Sequence, residues 1–273
     1  MKFVQYGSDN GRIVVYFHGA PGAPEECSIF DQSAKVNGLT FICLDRFSIN
    51  SSITGELYYK QLAGEISELA KGSPVDFVGF SIGAFIAIQT NRYMGNQVRS
   101  MHLVSAAAPL NVGDFLEAMA GKQVFRLAKA FPSLFLLLTY WQSLVAWIYP
   151  KALFHLLFAN AAAGDKALVN DRVFQSSITG VLRECFSGNV QGYVRDVVAY
   201  VTPWTPEVQV STYIWHGAED NWSPVQMAHY LKSAITAGTS IEIYDGLSHY
   251  STLYRAAPEI CHQIRNRVSF MGD

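Results

Sequence analysis

The chain has 273 residues, 20 Lys+Arg against 22 Asp+Glu, and a formal net charge of -2. Half of the residues are hydrophobic and 15% are charged, well below the usual quarter. This composition excludes a disordered tail protein and shows no basic excess for nucleic acid. The length suits one large domain or a core with an insertion.

The first residues, MKFVQYGSDNGR, lack the apolar stretch of a secretory signal. After them, short apolar runs alternate with longer helical patterns. Residues 12–17 (RIVVYF), 40–45 (TFICLD), 75–80 (VDFVGF), 100–105 (SMHLVS), 209–215 (QVSTYIW) and 240–244 (SIEIY) read as strands. They are nearly continuously apolar, as in a sheet covered by helices on both faces. Residues 56–71, 82–94, 224–236 and 254–268 read as helices; in the first, Leu57, Leu62, Ile66 and Leu69 fall at helical spacing. The alternation predicts an α/β fold with a doubly wound, mostly parallel sheet.

The alternation breaks between 110 and 205. Helical patterns there are separated by Pro132, Pro150, Gly164, Gly180 and Gly188, with no strand pattern. The stretch is too long for a connecting loop and reads as a helical insertion in a core of residues 1–109 and 206–273. No charged residue lies between Lys129 and Lys151, close to the roughly 20 residues a spanning helix needs. Pro132 and Pro150 bracket that run, and Ser133, Thr139, Gln142 and Ser143 interrupt it. A helix buried on most sides, or one lining an apolar pocket, is therefore expected instead of a transmembrane span; contact with a membrane surface stays open. Cys27, Cys43, Cys185 and Cys261 are scattered, with no C-x-x-C pair. They argue against zinc and fit a reducing cytoplasm.

The chemistry concentrates at strand ends. Gly79-Phe80-Ser81-Ile82-Gly83 is G-x-S-x-G between a strand and a helix, the context of a nucleophile elbow. Gly79 and Gly83 leave room for strand and helix to cross closely. A serine hydroxyl needs a base. Of seven histidines, His249 follows the last strand and is expected in a short loop before the final helix. His102 falls in a strand, His229 and His262 in helices, and His155 in the insertion, where packing or surface roles are ordinary. A base needs an acid that fixes its tautomer; Asp220, in the loop after a strand, is the candidate, with its neighbour Glu219 as rival. The oxyanion donors are expected to be the backbone N–H of Ile82 and that of Ala20, in His18-Gly19-Ala20-Pro21-Gly22 after RIVVYF. His18 can be read as a base, but its place beside Gly19, Pro21 and Gly22 favours bracing of the loop.

With HGAPG at 18–22, Asp45-Arg46, GFSIG at 79–83, GAEDNWSP at 217–224 and SHY at 248–250, the chain resembles the α/β-hydrolase superfamily. It is similar to the branch with an H-G-x-P-G oxyanion loop and a helical cap. The order Ser81, Asp220, His249 is that of the superfamily. The resemblance implies that Asp45 and Arg46 support the architecture, although DRFSINSS departs from the glycine-rich stretch common there. It also implies that residues 110–205 cap the site, with their apolar residues holding cap to body or lining a substrate pocket. The implied activity is hydrolysis of a carboxylic ester of a lipophilic small molecule through acyl-Ser81, with no metal or organic cofactor.

Other readings stay open. A proline-iminopeptidase-like amide hydrolase would need acids for a substrate amine, and the insertion offers Asp114, Glu117, Asp165, Asp171, Glu184 and Asp196. A cofactor-free lyase, a perhydrolase or a non-catalytic small-molecule receptor could carry the same motifs.

Overall fold

The computed structural model describes residues 1–188 and 190–266. Among them, seven strands form one sheet: β1 (Phe3–Gly7), β2 (Arg12–Phe17), β3 (Leu39–Leu44), β4 (Val75–Phe80), β5 (Val98–Val104), β6 (Thr212–Gly217) and β7 (Thr239–Tyr244). Their order is β1-β3-β2-β4-β5-β6-β7. Only β1 runs antiparallel to its neighbour, pairing Phe3 with Leu44 and Gly7 with Thr40; every other pair is parallel. β3 and β4 are buried along their whole length, because helices cover both faces.

Those helices are α1 (Asp31–Asn37), α2 (Gly55–Leu69), α3 (Ile82–Asn91), α11 (Val225–Ala234) and α12 (His249–Asn266). Between β5 and β6 the chain leaves the sheet and forms α4 (Phe115–Ala118), α5 (Lys122–Ala130), α6 (Pro132–Ile148), α7 (Pro150–Leu157), α8 (Ala163–Val169), α9 (Arg172–Ser187) and α10 (Val190–Val201). This is the helical stretch expected from the break in alternation. Pro132 and Pro150 each open a helix, where a missing N–H costs nothing.

Four points depart from the sequence reading. β1 was not anticipated: FVQYG is a half-exposed edge strand without a continuous apolar run. Gly164 and Gly180 do not separate helices but lie inside α8 and α9. No heavy atom crowds Gly180, and one glycine costs a helix only about 1 kcal/mol. The last helix begins at His249, not 254, because its first turn is polar and lacks apolar periodicity; residues 267 and 268 of the expected helix lie outside the described residues. The uncharged run is not buried on most sides. On α6 only Phe135, Thr139 and Ala146 are buried, while Leu137, Trp141 and Trp147 are exposed. Among the described residues no helix is long and apolar enough to cross a membrane.

The crossing of β4 and α3 against the end of β2 is the tightest point of the core. A methyl group at position 83 would run into the carbonyl oxygens of Phe17 and His18, and one at position 79 would come within 2.6 Å of the Ala84 Cα. Gly64, in α2, has open space around it. Gly83→Ala is therefore expected to destabilise the protein by about 3 kcal/mol or to prevent folding. Gly64→Ala should stabilise it by about 0.5–1 kcal/mol. Urea unfolding of the two variants beside the parent checks both signs.

Candidate active site

Ser81 stands at the top of β4, with φ 55° and ψ -126°. A non-glycine residue in this region is strained. The neighbouring framework over-determines it. The Ser81 N–H donates to the Val104 carbonyl at 3.0 Å, and its own carbonyl accepts from Ala84 at 3.1 Å and Ala107 at 3.2 Å. Ile82 is the first residue of α3, so its N–H has no carbonyl one turn back in the helix.

The other candidates come to the same place. Ser81, Ile82, Gly19, Ala20, Pro21 and His249 line one cavity of about 40 Å³. Met119, Phe125 and Leu157 reach it from the helical insertion, and Trp222 from the loop after β6. A much larger groove, about 1110 Å³, lies among α2, α3, α6 and α10 and touches none of these candidates. The candidate residues converge on the small cavity and not on the groove.

His249 and Asp220 are both buried, and His249 Nδ1 lies 2.8 Å from Asp220 Oδ2. The other Asp220 oxygen accepts from the N–H groups of Trp222 at 2.8 Å and Ser223 at 2.9 Å. Glu219 is exposed, so the loop turns Asp220 inward. Burial opposes ionisation of Asp220, but the facing His249, then His216 and the Ser223 N–H, overcome it and lower its pKa. For His249, burial disfavours the charged form; the Asp220 carboxylate outweighs that and raises the pKa above the ordinary value.

His18 is fully buried with Nδ1 2.8 Å from the Gly19 carbonyl. Burial, then the Arg46 charge, lowers its pKa well below the usual range. A neutral imidazole in that position donates from Nδ1 to the carbonyl and braces the loop. A methyl group on Gly22 would meet that same nitrogen at 2.8 Å, and one on Gly19 would press on the Phe80 ring at 3.2 Å. His102 is buried in β5, His229 lies in α11, His262 lies in α12, and His155 is exposed on α7.

Two contributors, Glu26 and His216, escaped the sequence reading, and a third, Arg46, was expected only to support the architecture. Glu26 is buried beneath the loop and accepts from the Tyr16 hydroxyl at 2.7 Å and the Gly19 N–H at 3.0 Å. Arg46 donates to the Gly19 carbonyl at 3.2 Å and to Asp196, in α10, at 2.7 Å. His216 is buried in β6, bonded to the Ser223 carbonyl at 2.7 Å, with Nε2 3.6 Å from Asp220 Oδ2. The paired acids Glu25-Glu26 just after HGAPG were the available signal for the first. Arg46 depends on long-range packing against Asp196, whereas His216 lies four residues before Asp220 in the same segment. Of the acids considered for a substrate amine, none lines the small cavity. Asp196 and Asp165 are buried against partners of their own, Asp171 caps α9 and Glu117 pairs with Arg126. Among the described residues no three His, Cys, Asp or Glu side chains cluster as metal ligands do.

The seven-stranded, mostly parallel sheet and the serine turn between β4 and α3 define an α/β-hydrolase. A family model described as lipid-droplet associated hydrolase matches residues 56–250. The chain belongs to that family and is a hydrolase of the α/β fold. Solved structures with the same fold include an esterase from Exiguobacterium antarcticum, 18% identical, covering 98% of this chain and 94% of that one with a TM-score of 0.66. A bromoperoxidase from Bacillus anthracis is 15% identical over 99% and 95% of the two chains, TM-score 0.66. An enol-lactonase from Burkholderia xenovorans LB400 is 14% identical over 98% and 96%, TM-score 0.67. No match to the chain was found among curated protein sequences.

Asp220 is the main influence raising the His249 pKa, and it acts in the same direction on His216. Asp220→Asn should therefore move the titration midpoint of both imidazoles down, with the fold retained. NMR of ring-labelled histidine across a pH series checks this; an unmoved His249 midpoint would contradict the ion-pair geometry.

Proposed function

We propose that the protein is a serine hydrolase that cleaves carboxylic esters of lipophilic molecules through an acyl-Ser81 intermediate. The observation that carries this reading is the strained Ser81 turn sharing one cavity with an Asp220-bound His249. His249, neutral and held in one tautomer by Asp220, takes the hydroxyl proton as Ser81 Oγ attacks the ester carbonyl. The backbone N–H groups of Ala20 and Ile82 stabilise the oxyanion. The C–O bond to the alcohol breaks, and His249 returns its proton to that oxygen. Water, deprotonated by His249, then attacks the acyl carbon, and acid and serine are released.

The substrate class rests on the walls. Phe80, Phe125, Met119, Leu157 and Trp222 surround the serine and carry no charge. The helical stretch 110–205 serves as a cap in this reading, since it brings three of the lining side chains. A space of about 40 Å³ is far below the roughly 300–1,000 Å³ of a ligand pocket, so Phe125 and Leu157 must move aside to admit substrate.

The reading extends to a lipid surface. The family is named for lipid droplets, and α6 with its flanks exposes Phe131, Leu137, Trp141, Leu144, Trp147 and Tyr149. Lys129 and Lys151, exposed at the two ends, suit the headgroup region of an anionic surface, with the tryptophans at the polar–apolar boundary. The cytoplasm fits this picture, because all four cysteines are buried free thiols.

A fluorophosphonate probe should label the protein, and Ser81→Ala should abolish the label. Turnover of p-nitrophenyl esters should rise from acetyl toward longer chains and fall at least ~10³-fold in Ser81→Ala; preference for proline-aminoacyl amides would reverse the reading. Leu137→Glu with Trp147→Glu should weaken flotation with phospholipid-coated triacylglycerol droplets by at least about tenfold while sparing hydrolysis of a soluble ester. Equal flotation of variant and parent would remove α6 as the contact.

A further inference from the structure

The end of α12 that carries His249 is held from outside the sheet. His249 is the first residue of that helix, and the N–H groups of its first turn have no partner within the helix. The usual cap would be the side chain just before, Ser248, but its Oγ makes no hydrogen bond among the described residues. Ser251 turns back instead, its Oγ accepting from the Ser248 N–H at 2.8 Å. The N–H groups of Tyr250 and Ser251 point to Asp165, at 3.2 Å and 2.7 Å, one to each carboxylate oxygen.

Asp165 comes from α8, 85 residues earlier in the chain. It is 1% exposed. The backbone that delivers it is docked on the same segment. The Gly164 N–H donates to the Gly246 carbonyl at 3.0 Å, and a methyl group on Gly164 would come within 2.8 Å of Ser251 Oγ. Ala163, opening α8, has φ 40°, a conformation alanine adopts at a cost. The chain is thus bent out of its preferred range at the point where it sets a carboxylate on the start of α12. An anion at a helix N-terminus is favourable, and this one is shielded from water.

We propose that Asp165 is a positioning residue for His249: by capping the first turn of α12 it sets the imidazole between Asp220 and Ser81, so that the helical insertion builds the active site as well as covering it. The inference rests on the serine-hydrolase reading. Asp165 also acts through its charge. The charged or titratable groups around His249 are Asp220, Asp165, Glu26, His216 and Tyr250, whose phenol burial keeps neutral; the three carboxylates favour the protonated imidazole, and Asp220 acts most strongly. Asparagine at 165 keeps the size and one acceptor but loses the charge and the two-oxygen cap. His249 should then lose its proton at lower pH and sit less firmly.

The test compares wild type, Ser81→Ala, Asp165→Asn and Asp165→Glu by fluorophosphonate labelling rate and p-nitrophenyl ester kinetics across pH, with thermal unfolding in parallel. Asp165→Asn should fold, lose about tenfold in kcat with KM within about twofold, and show its acidic limb displaced to lower pH. Asp165→Glu should return the limb toward wild type. An Asp165→Asn protein that folds with wild-type kcat and limb overturns the proposal. So does one that fails to fold, since Asp165 would then hold the fold and not the base. If Ser81→Ala still labels, the serine-hydrolase reading itself has failed; if it does not label and Asp165→Asn tracks wild type, only the role of Asp165 is lost.

Discussion

Two carbonyl oxygens, those of Phe17 and His18, occupy the space a side chain at position 83 would need. That close approach brings the start of α3 against the end of β2. It lets the chain reverse at Ser81 in a conformation that serine seldom adopts, and it sets the 18–22 loop beside the same turn. Strain at Ser81 is tolerable because three backbone hydrogen bonds and a buried strand hold both sides of the turn. With a bulkier residue at 83 the loop and the elbow would separate, and Ala20 and Ile82 would no longer line one cavity.

The loop opposite the elbow is held by a different kind of force. The Gly19 peptide is gripped from both sides: Glu26 accepts its N–H, while His18 and Arg46 reach its carbonyl. Arg46 in turn bonds Asp196, and Arg195 donates to the Arg46 carbonyl at 2.9 Å and stacks on Tyr58 at 3.7 Å. Such charges are costly to bury, and a buried pair contributes more to geometry than to stability. Burial also raises the Glu26 pKa, in spite of the Tyr16 hydroxyl and the Gly19 N–H that favour its ionised form. The network links α10 of the insertion to the candidate oxyanion loop. The insertion therefore meets the candidate site through Asp196 on one side and Asp165 on the other.

How far the sequence could be read follows from the range of the contacts. β2 and β4 were visible to the residue because parallel strands covered on both faces are largely apolar, the exceptions Arg12 and Asp76 pairing with each other. β1 was not, since an edge strand carries Gln5 and Gly7 without penalty. Ser81, Asp220 and His249 could be picked out as candidates because each follows a strand within a short stretch of distinctive residues. Glu26 lies seven residues from the peptide it binds and left a faint local trace. Arg46 and Asp196 meet across 150 residues, and Asp165 meets Ser251 across 86; no periodicity encodes such pairs. His249 itself was misplaced by one element, because the turn that begins α12 is stabilised by a carboxylate from the insertion and not by its own sequence.

The low charge of the chain has two separate causes. In the sheet, apolar residues are needed because water is excluded from both faces, and no ligand has to be invoked. On α6 the same composition has the opposite consequence: three residues are buried, others such as Leu136 and Val145 are half-buried, and Leu137, Trp141, Leu144 and Trp147 are exposed. Sequence alone does not separate these cases, since an uncharged run reads alike whether core, pocket or lipid receives it. Burial does separate them. An apolar face of this kind is unusual on a free-standing soluble protein. Its exposed side chains turn away from the small cavity that holds Ser81, so they neither line that site nor fasten the insertion to the sheet. The insertion thus divides its work by face: Met119, Phe125 and Leu157 line the candidate cavity, Asp165 and Asp196 tie it to the body, and α6 keeps an exposed apolar face.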